Sequence, residues 1–243
     1  MRPASDDDAP EEDLTQLVSV GGRCSYVLLA LFAVILLYPD LSGSTWGRGV
    51  IAFLMSTVVV AIAYAVGRSR RQLMIASAFA IALLGLQWTF FASGNRVVFA
   101  VGVAIFLAFI GFAMTQLFAY LMRHGPVTGD KLHAALCIYI LGAFLWAGMY
   151  TLLYELEPRS FLASVPQRAA PDFYDMLYFS FTTLTSTGYG DLTPATRRAE
   201  SLAILEQVAG VFYVAVLIAR LAGLYPPGAP PPEPDRQEDS APR

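Results

Sequence analysis

The sequence predicts an all-α membrane protein of six transmembrane helices, with a further, shorter helix that enters the membrane between the fifth and sixth spans. Three observations carry this. The 243 residues are 56 % hydrophobic and only 14 % charged, with a mean hydropathy of +0.54, whereas a soluble domain is about 25 % charged. The uncharged runs are long: Cys24–Pro39, Gly49–Gly67, Gln72–Asn95, Val97–Met122 and Leu132–Tyr154 measure 16, 19, 24, 26 and 23 residues, and a sixth, Ser201–Ala219, is broken only by Glu206. A helix needs about 20 predominantly apolar residues to cross a bilayer. Finally, Pro171–Asp191 is apolar and aromatic but too short to span. This balance argues against a water-soluble enzyme. No cluster of His, Cys and carboxylates has metal-ligand spacing, no nucleophile and base motif is present, and neither a cofactor nor nucleic acid is expected.

Taken in order, residues 1–23 hold Asp6, Asp7, Asp8, Glu11, Glu12 and Asp13. A signal peptide starts basic, so this segment reads as a disordered acidic tail and the first apolar run as a membrane helix. Residues 24–123 form a four-helix unit. Its small residues at i, i+4, Ala76 with Ala80 and Ala104 with Ala108, let neighbouring helices approach closely. Cys24 and Cys137 both lie in apolar runs and read as packing residues. With the N-terminus inside, ten of the 16 basic residues fall on the inner side, led by Arg68, Arg70 and Arg71. Basic loops stay cytoplasmic, so both termini are placed there. The fourth span has no basic residue between Arg96 and Arg123, and the second and third have no acidic ones. A voltage sensor needs several charges inside the field, so none is expected. Arg123 to Asp130 reads as a turn with a helix cap, and His124 and His133 as solvated or interfacial. Residues 130–224 are a helix, loop, helix unit. Residues 225–243 hold seven prolines, too polar and Pro-rich to bury a core, and read as a second disordered tail.

Within the loop, Asp172 and Asp175 suit a helix start, where carboxylates accept backbone N–H bonds and complement the dipole. A helix from Phe173 to Thr185 is roughly 20 Å long and stops partway through the membrane. The backbone after it, Ser186 to Asp191, lies unwound at membrane depth, which is tolerated only inside protein or along a wet cavity. Gly188 and Gly190 permit positive φ, so neighbouring carbonyls can face one way. Rings of such oxygens replace the hydration shell of a monovalent cation, and the C-terminal, negative end of the short helix points towards it.

The run Thr185-Ser186-Thr187-Gly188-Tyr189-Gly190-Asp191 resembles the potassium-channel signature, and the helix, pore loop, helix unit around it is similar to that of small bacterial six-span ion channels. The resemblance covers about Leu132 to Leu224. It implies a pore domain at 130–224 with a re-entrant pore helix and a selectivity filter. It also implies a homotetramer with four-fold symmetry, set among lipids of the inner (plasma) membrane and carrying K⁺ as the permeant ion. Carbonyls of Ser186, Thr187, Gly188 and Tyr189, with the Ser186 hydroxyl, would coordinate K⁺, and Gly190 would complete the filter. Tyr189's ring would point into an aromatic cuff including Tyr178 and Phe179, and Thr182, Thr185 and Asp191 would support the filter, Asp191 by a bond from Tyr178. The family usually has Thr where Ser186 stands and Val or Ile where Thr187 stands. Gly210, 20 residues after Gly190, matches a gating hinge or else a close helix contact. For Glu206, inside the membrane, the expected partners are pore-helix hydroxyls such as Thr182 or Thr183, and Arg220 is expected to snorkel to the inner surface. The implied function is passive K⁺ conduction without conventional voltage gating. A potassium-uptake transporter subunit or a weakly selective cation channel is the alternative.

Overall fold

The computed structural model describes residues 22–41, 45–123, 129–164 and 171–224. The two expected tails lie outside these residues, apart from Gly22 and Arg23, as do His124 and Arg168. Among the described residues, seven helices and two short strands follow one another: α1 Arg23–Leu41, α2 Thr45–Val66, α3 Arg70–Ser93, α4 Arg96–Leu121, α5 Gly129–Leu156, β1 Phe161–Ala163, α6 Phe173–Leu184, β2 Leu192–Pro194 and α7 Arg197–Leu224. All but α6 are long and apolar enough to cross a membrane, which makes this a multi-pass membrane protein.

The boundaries follow local chemistry. Arg23, expected in the tail, is already helical, and α1 continues past Pro39 to Leu41. Proline removes one N–H and crowds the preceding turn, and here only two residues follow it. Ser69 and Gln72 form a reciprocal capping box that opens α3. Gly94 closes α3 at φ 63°, a left-handed turn suited to glycine, and Asn95 caps the Val97 amide at the start of α4.

α5 is the hub of the packing. Of its most apolar stretch 61 % is buried, against 17 % for α7, because α5 touches α1, α4, α6 and α7 while α7 touches mainly α5 and α6. Ile204, Leu205, Val208, Val211 and Phe212 of α7 are therefore exposed in the single chain. Cys24 and Cys137 are both buried and free, with the Cys137 thiol donating to the Cys24 carbonyl at 3.4 Å.

One polar knot ties the ends of α1, α2, α4 and α5. Arg68 pairs with Asp130 at 3.1 Å and lies 3.4 Å from the centre of the Tyr120 ring, while the Tyr120 hydroxyl and the Cys24 amide also donate to Asp130. Nearby, Ser25 and His133 hydrogen-bond at 3.0 Å. Arg220 does more than snorkel: it donates to the Leu121 carbonyl at 2.8 Å and meets the Met122 sulfur, so α7 is fastened to the end of α4. Helix ends carry unpaired carbonyls, and Leu121 offers one within the reach of this long side chain.

At the opposite end, β1 and β2 pair antiparallel, Phe161 with Pro194, Leu162 with Thr193 and Ala163 with Leu192. Three-residue strands have too short a period to be legible in sequence. The pair joins the end of α5 to the start of α7.

Candidate functional site

The site is built on α6. Twelve residues make it about 18 Å long, well short of a ~30 Å hydrocarbon core. Its start is the expected one: Asp172 accepts from the Tyr174 and Asp175 amides, and Asp175 accepts from the Asp172 amide. Tyr38 of α1 adds a hydroxyl bond to Asp172 at 3.1 Å and stacks on Tyr174 at 4.8 Å, which anchors this end.

Beyond Leu184 the backbone unwinds. Three residues at alternate positions take positive φ: Ser186 at 57°, Gly188 at 57° and Gly190 at 76°. Alternation of this kind lets successive carbonyls share one side of the chain. The glycines were legible; Ser186 was not, since an L-residue in this region costs about 1–2 kcal/mol. Hydrogen bonds hold it there. The Ser186 amide donates to the Thr183 carbonyl at 3.0 Å, and the Thr187 and Gly188 amides both donate to the Thr182 carbonyl at 2.8 and 3.1 Å. Thr182 thus supports the segment through its carbonyl, while its hydroxyl donates to Phe179. Thr185 and Thr187 join hydroxyl to hydroxyl at 2.8 Å, which gives the unusual Thr187 a partner beside the segment.

The far end is held by a residue that sequence reasoning missed. The Ser164 hydroxyl donates to the Gly190 carbonyl at 3.1 Å and lies 3.2 Å from that of Asp191, which also accepts the Ser164 amide at 2.9 Å. Gly190 therefore has its carbonyl engaged within its own chain. Asp191 accepts from the Leu192 amide. The rings of Tyr178 and Tyr189 stack at 6.3 Å and 10°. Phe179 does not join them: it packs edge-on against Tyr150 and Phe161 at 5.0 and 5.3 Å. One helical position rotates a side chain by about 100°, enough to send Phe179 inward when Tyr178 faces out.

Behind α6 lies a buried polar group. Glu206 is fully enclosed and hydrogen-bonds with Ser180 and Tyr150, each at 2.5 Å, rather than with the expected Thr182 or Thr183. The reason is helical phase. Ala199, Ala203, Glu206 and Gly210 form the buried stripe of α7, and Ser180, which also reaches the Ala143 carbonyl at 2.9 Å, is the α6 hydroxyl that faces it. No sequence signal singled out Tyr150 from the other tyrosines. Gly210 sits against the end of α6, where an added Cβ would collide with the Leu184 carbonyl oxygen and come within 3.0 Å of its Cδ1. The close contact is the alternative that the structure displays, and α7 continues through Gly210 to Leu224.

This arrangement, a half-length helix followed by a braced, unwound backbone between two spans, is suited to turning successive carbonyl oxygens to one side of the chain. Residues 135–225 match a family model described as ion channel. The matched stretch contains most of α5, all of α6 and α7 and the unwound segment, and leaves α1 to α4 outside. Comparisons with curated proteins and with solved structures give no match.

Proposed function

We propose, from the premise that residues 135–225 are an ion-channel domain, that the chain is a potassium-selective channel conducting K⁺ passively. The observation that carries the reading is the alternation of positive φ at Ser186, Gly188 and Gly190 with the amides of residues 186–188 bonded back to α6. Carbonyls of Ser186, Thr187, Gly188 and Tyr189, with the Ser186 hydroxyl, coordinate the ion. Gly190 contributes a turn rather than an oxygen, because Ser164 engages its carbonyl. Gly210 serves as a packing point that sets how closely α7 approaches this backbone.

One such segment cannot enclose an ion by itself, so four copies surround the axis. The exposed apolar residues of α7, Ile204, Val208, Val211 and Phe212 among them, support this reading because they line faces that only further copies or lipid can cover. The absence of charge in α4 beyond Arg96 at its start supports conduction that is only weakly dependent on voltage. The excess of basic residues at the Arg68 end supports termini in the cytoplasm, and the setting is the inner membrane. The test is flux into liposomes that hold the purified protein. K⁺ and Rb⁺ enter, Na⁺ is excluded and Ba²⁺ blocks; comparable Na⁺ and K⁺ flux would overturn the proposal in favour of a weakly selective pore.

A further inference from the structure

The four-helix unit is not solid. A cavity of about 670 Å³ lies among α1 to α5 towards the Asp172 end, walled by apolar side chains that include Leu31, Met55, Leu83, Phe106 and Phe144, and by Phe173 at the start of α6. Pockets that take small molecules measure roughly 300–1,000 Å³, are mostly apolar and carry a few placed polar groups. Here those groups are Gln87, Tyr38 and Asp172.

Their chemistry selects among occupants. The Gln87 amide donates to the Ala52 carbonyl at 2.6 Å, and among the described residues nothing donates to its Oε1. An amide oxygen on an apolar wall asks for an O–H or N–H donor. Asp172 already has both oxygens engaged, Oδ1 by two backbone amides and Oδ2 by Tyr38. It therefore offers little to a cation, yet its charge disfavours an anion. The walls lie within membrane spans, so the supply of ligand is the lipid phase. The cavity suits one alkyl chain and is too small for a diacyl phospholipid with its headgroup.

We propose that this cavity is a binding site for a neutral single-chain amphiphile bearing a hydroxyl, of the monoacylglycerol or long-chain alcohol class. Its hydroxyl donates to Gln87 Oε1 and its chain runs past Met55 and Leu83 against Phe106. The bound chain touches Phe173 and so contacts the first turn of α6.

The test uses the full chain in lipid nanodiscs with a monoacylglycerol carrying a diazirine on its chain, and mass spectrometry locates the adducts. Two variants separate the parts of the proposal. Gly102→Leu puts a side chain into the cavity, because the nearest neighbour of an added Cβ is Leu86 at 3.9 Å; labelling of the lining falls about tenfold. Gln87→Leu weakens competition by unlabelled monoacylglycerol about fivefold while leaving that of the chain-matched methyl ester unchanged. A chain-matched fatty acid anion competes more weakly than either. Unchanged labelling in a folded Gly102→Leu protein overturns the site, as do adducts confined to outward residues such as Leu29 and Phe53. Should Gly102→Leu fail to fold, the Gln87→Leu comparison decides, and equal loss for alcohol and ester overturns the assigned hydroxyl. All readouts are of binding, so they stand whether or not the chain conducts K⁺.

Discussion

Tyr150→Phe isolates one bond of the buried polar group behind α6. The ring is packed edge-on against Phe161 and Phe179 at 5.5 and 5.0 Å, and phenylalanine preserves that packing. What disappears is the hydroxyl that donates to Glu206 at 2.5 Å. Leaving a buried polar atom without its partner costs about 1–3 kcal/mol, and the loss falls at the upper end when the orphaned oxygen is shielded from water. Glu206 is completely buried, so a cost of about 2–3 kcal/mol per chain is expected. Ser180→Ala is expected to cost a similar amount, since the Ser180 hydroxyl pairs with the other carboxyl oxygen. The double variant should cost less than the sum, because both donors serve one carboxylate and each can recentre when the other is lost. The measurement is denaturant unfolding in mild detergent of the wild type, both single variants and the double. A change below about 0.5 kcal/mol for Tyr150→Phe, the range of ordinary surface substitutions, would refute the reasoning, and strict additivity would show that the donors act independently.

Three further outcomes are expected. Gly210→Ala forces α7 away from the Leu184 carbonyl, so it should destabilise the protein by about 1–3 kcal/mol despite alanine's better helix propensity, which thermal unfolding would detect; a neutral or stabilising result would remove the close contact as a constraint. Planar-bilayer recordings should give an open probability that changes little with voltage, whereas a steep curve worth several elementary charges would mean that charge moves elsewhere than in α4. If Tyr178 supports Asp191, then Tyr178→Phe and Asp191→Asn should each shorten conductive openings, with the double variant little worse than either; additive effects on mean open time would show that they act separately.

What the sequence disclosed and what it hid divide along physical lines. The six spans were legible because a bilayer imposes a length, and uncharged runs measure it directly. The start of α6 was legible because Asp172 and Asp175 stand three apart, the spacing of a reciprocal cap. Gly188 and Gly190 were legible because few other residues enter the left-handed region freely. Ser186 takes the same φ for a different reason, its tie to Thr183, and no propensity reports a tie of that kind. The partner of Glu206 was right in class and wrong in residue: a hydroxyl on α6 follows from burial, but choosing Ser180 over Thr182 requires the rotation of one helix against another. Ser164 lies 26 residues from Gly190, and a contact across a chain reversal leaves no local mark. The cavity is lined by residues of five helices and the start of α6, an arrangement that no single helix encodes.

The brace formed by β1, β2 and Ser164 bears on how the unwound segment responds to stress. Ser164 holds the carbonyls of Gly190 and Asp191, the Ala195 amide donates to the Ser160 carbonyl, and Thr182 holds two amides at the other end. These bonds fall on neighbouring positions of two short segments, so releasing one loosens the backbone that carries the next. Local opening in proteins proceeds in cooperative units whose members exchange their amide hydrogens together. Residues 160–164 and 186–195, placed between α5 and α7, are expected to behave as one such unit. Hydrogen exchange should then show the amides of Ser164, Thr187, Gly188 and Ala195 losing protection at a common rate, and unequal rates would separate the two ends of the brace.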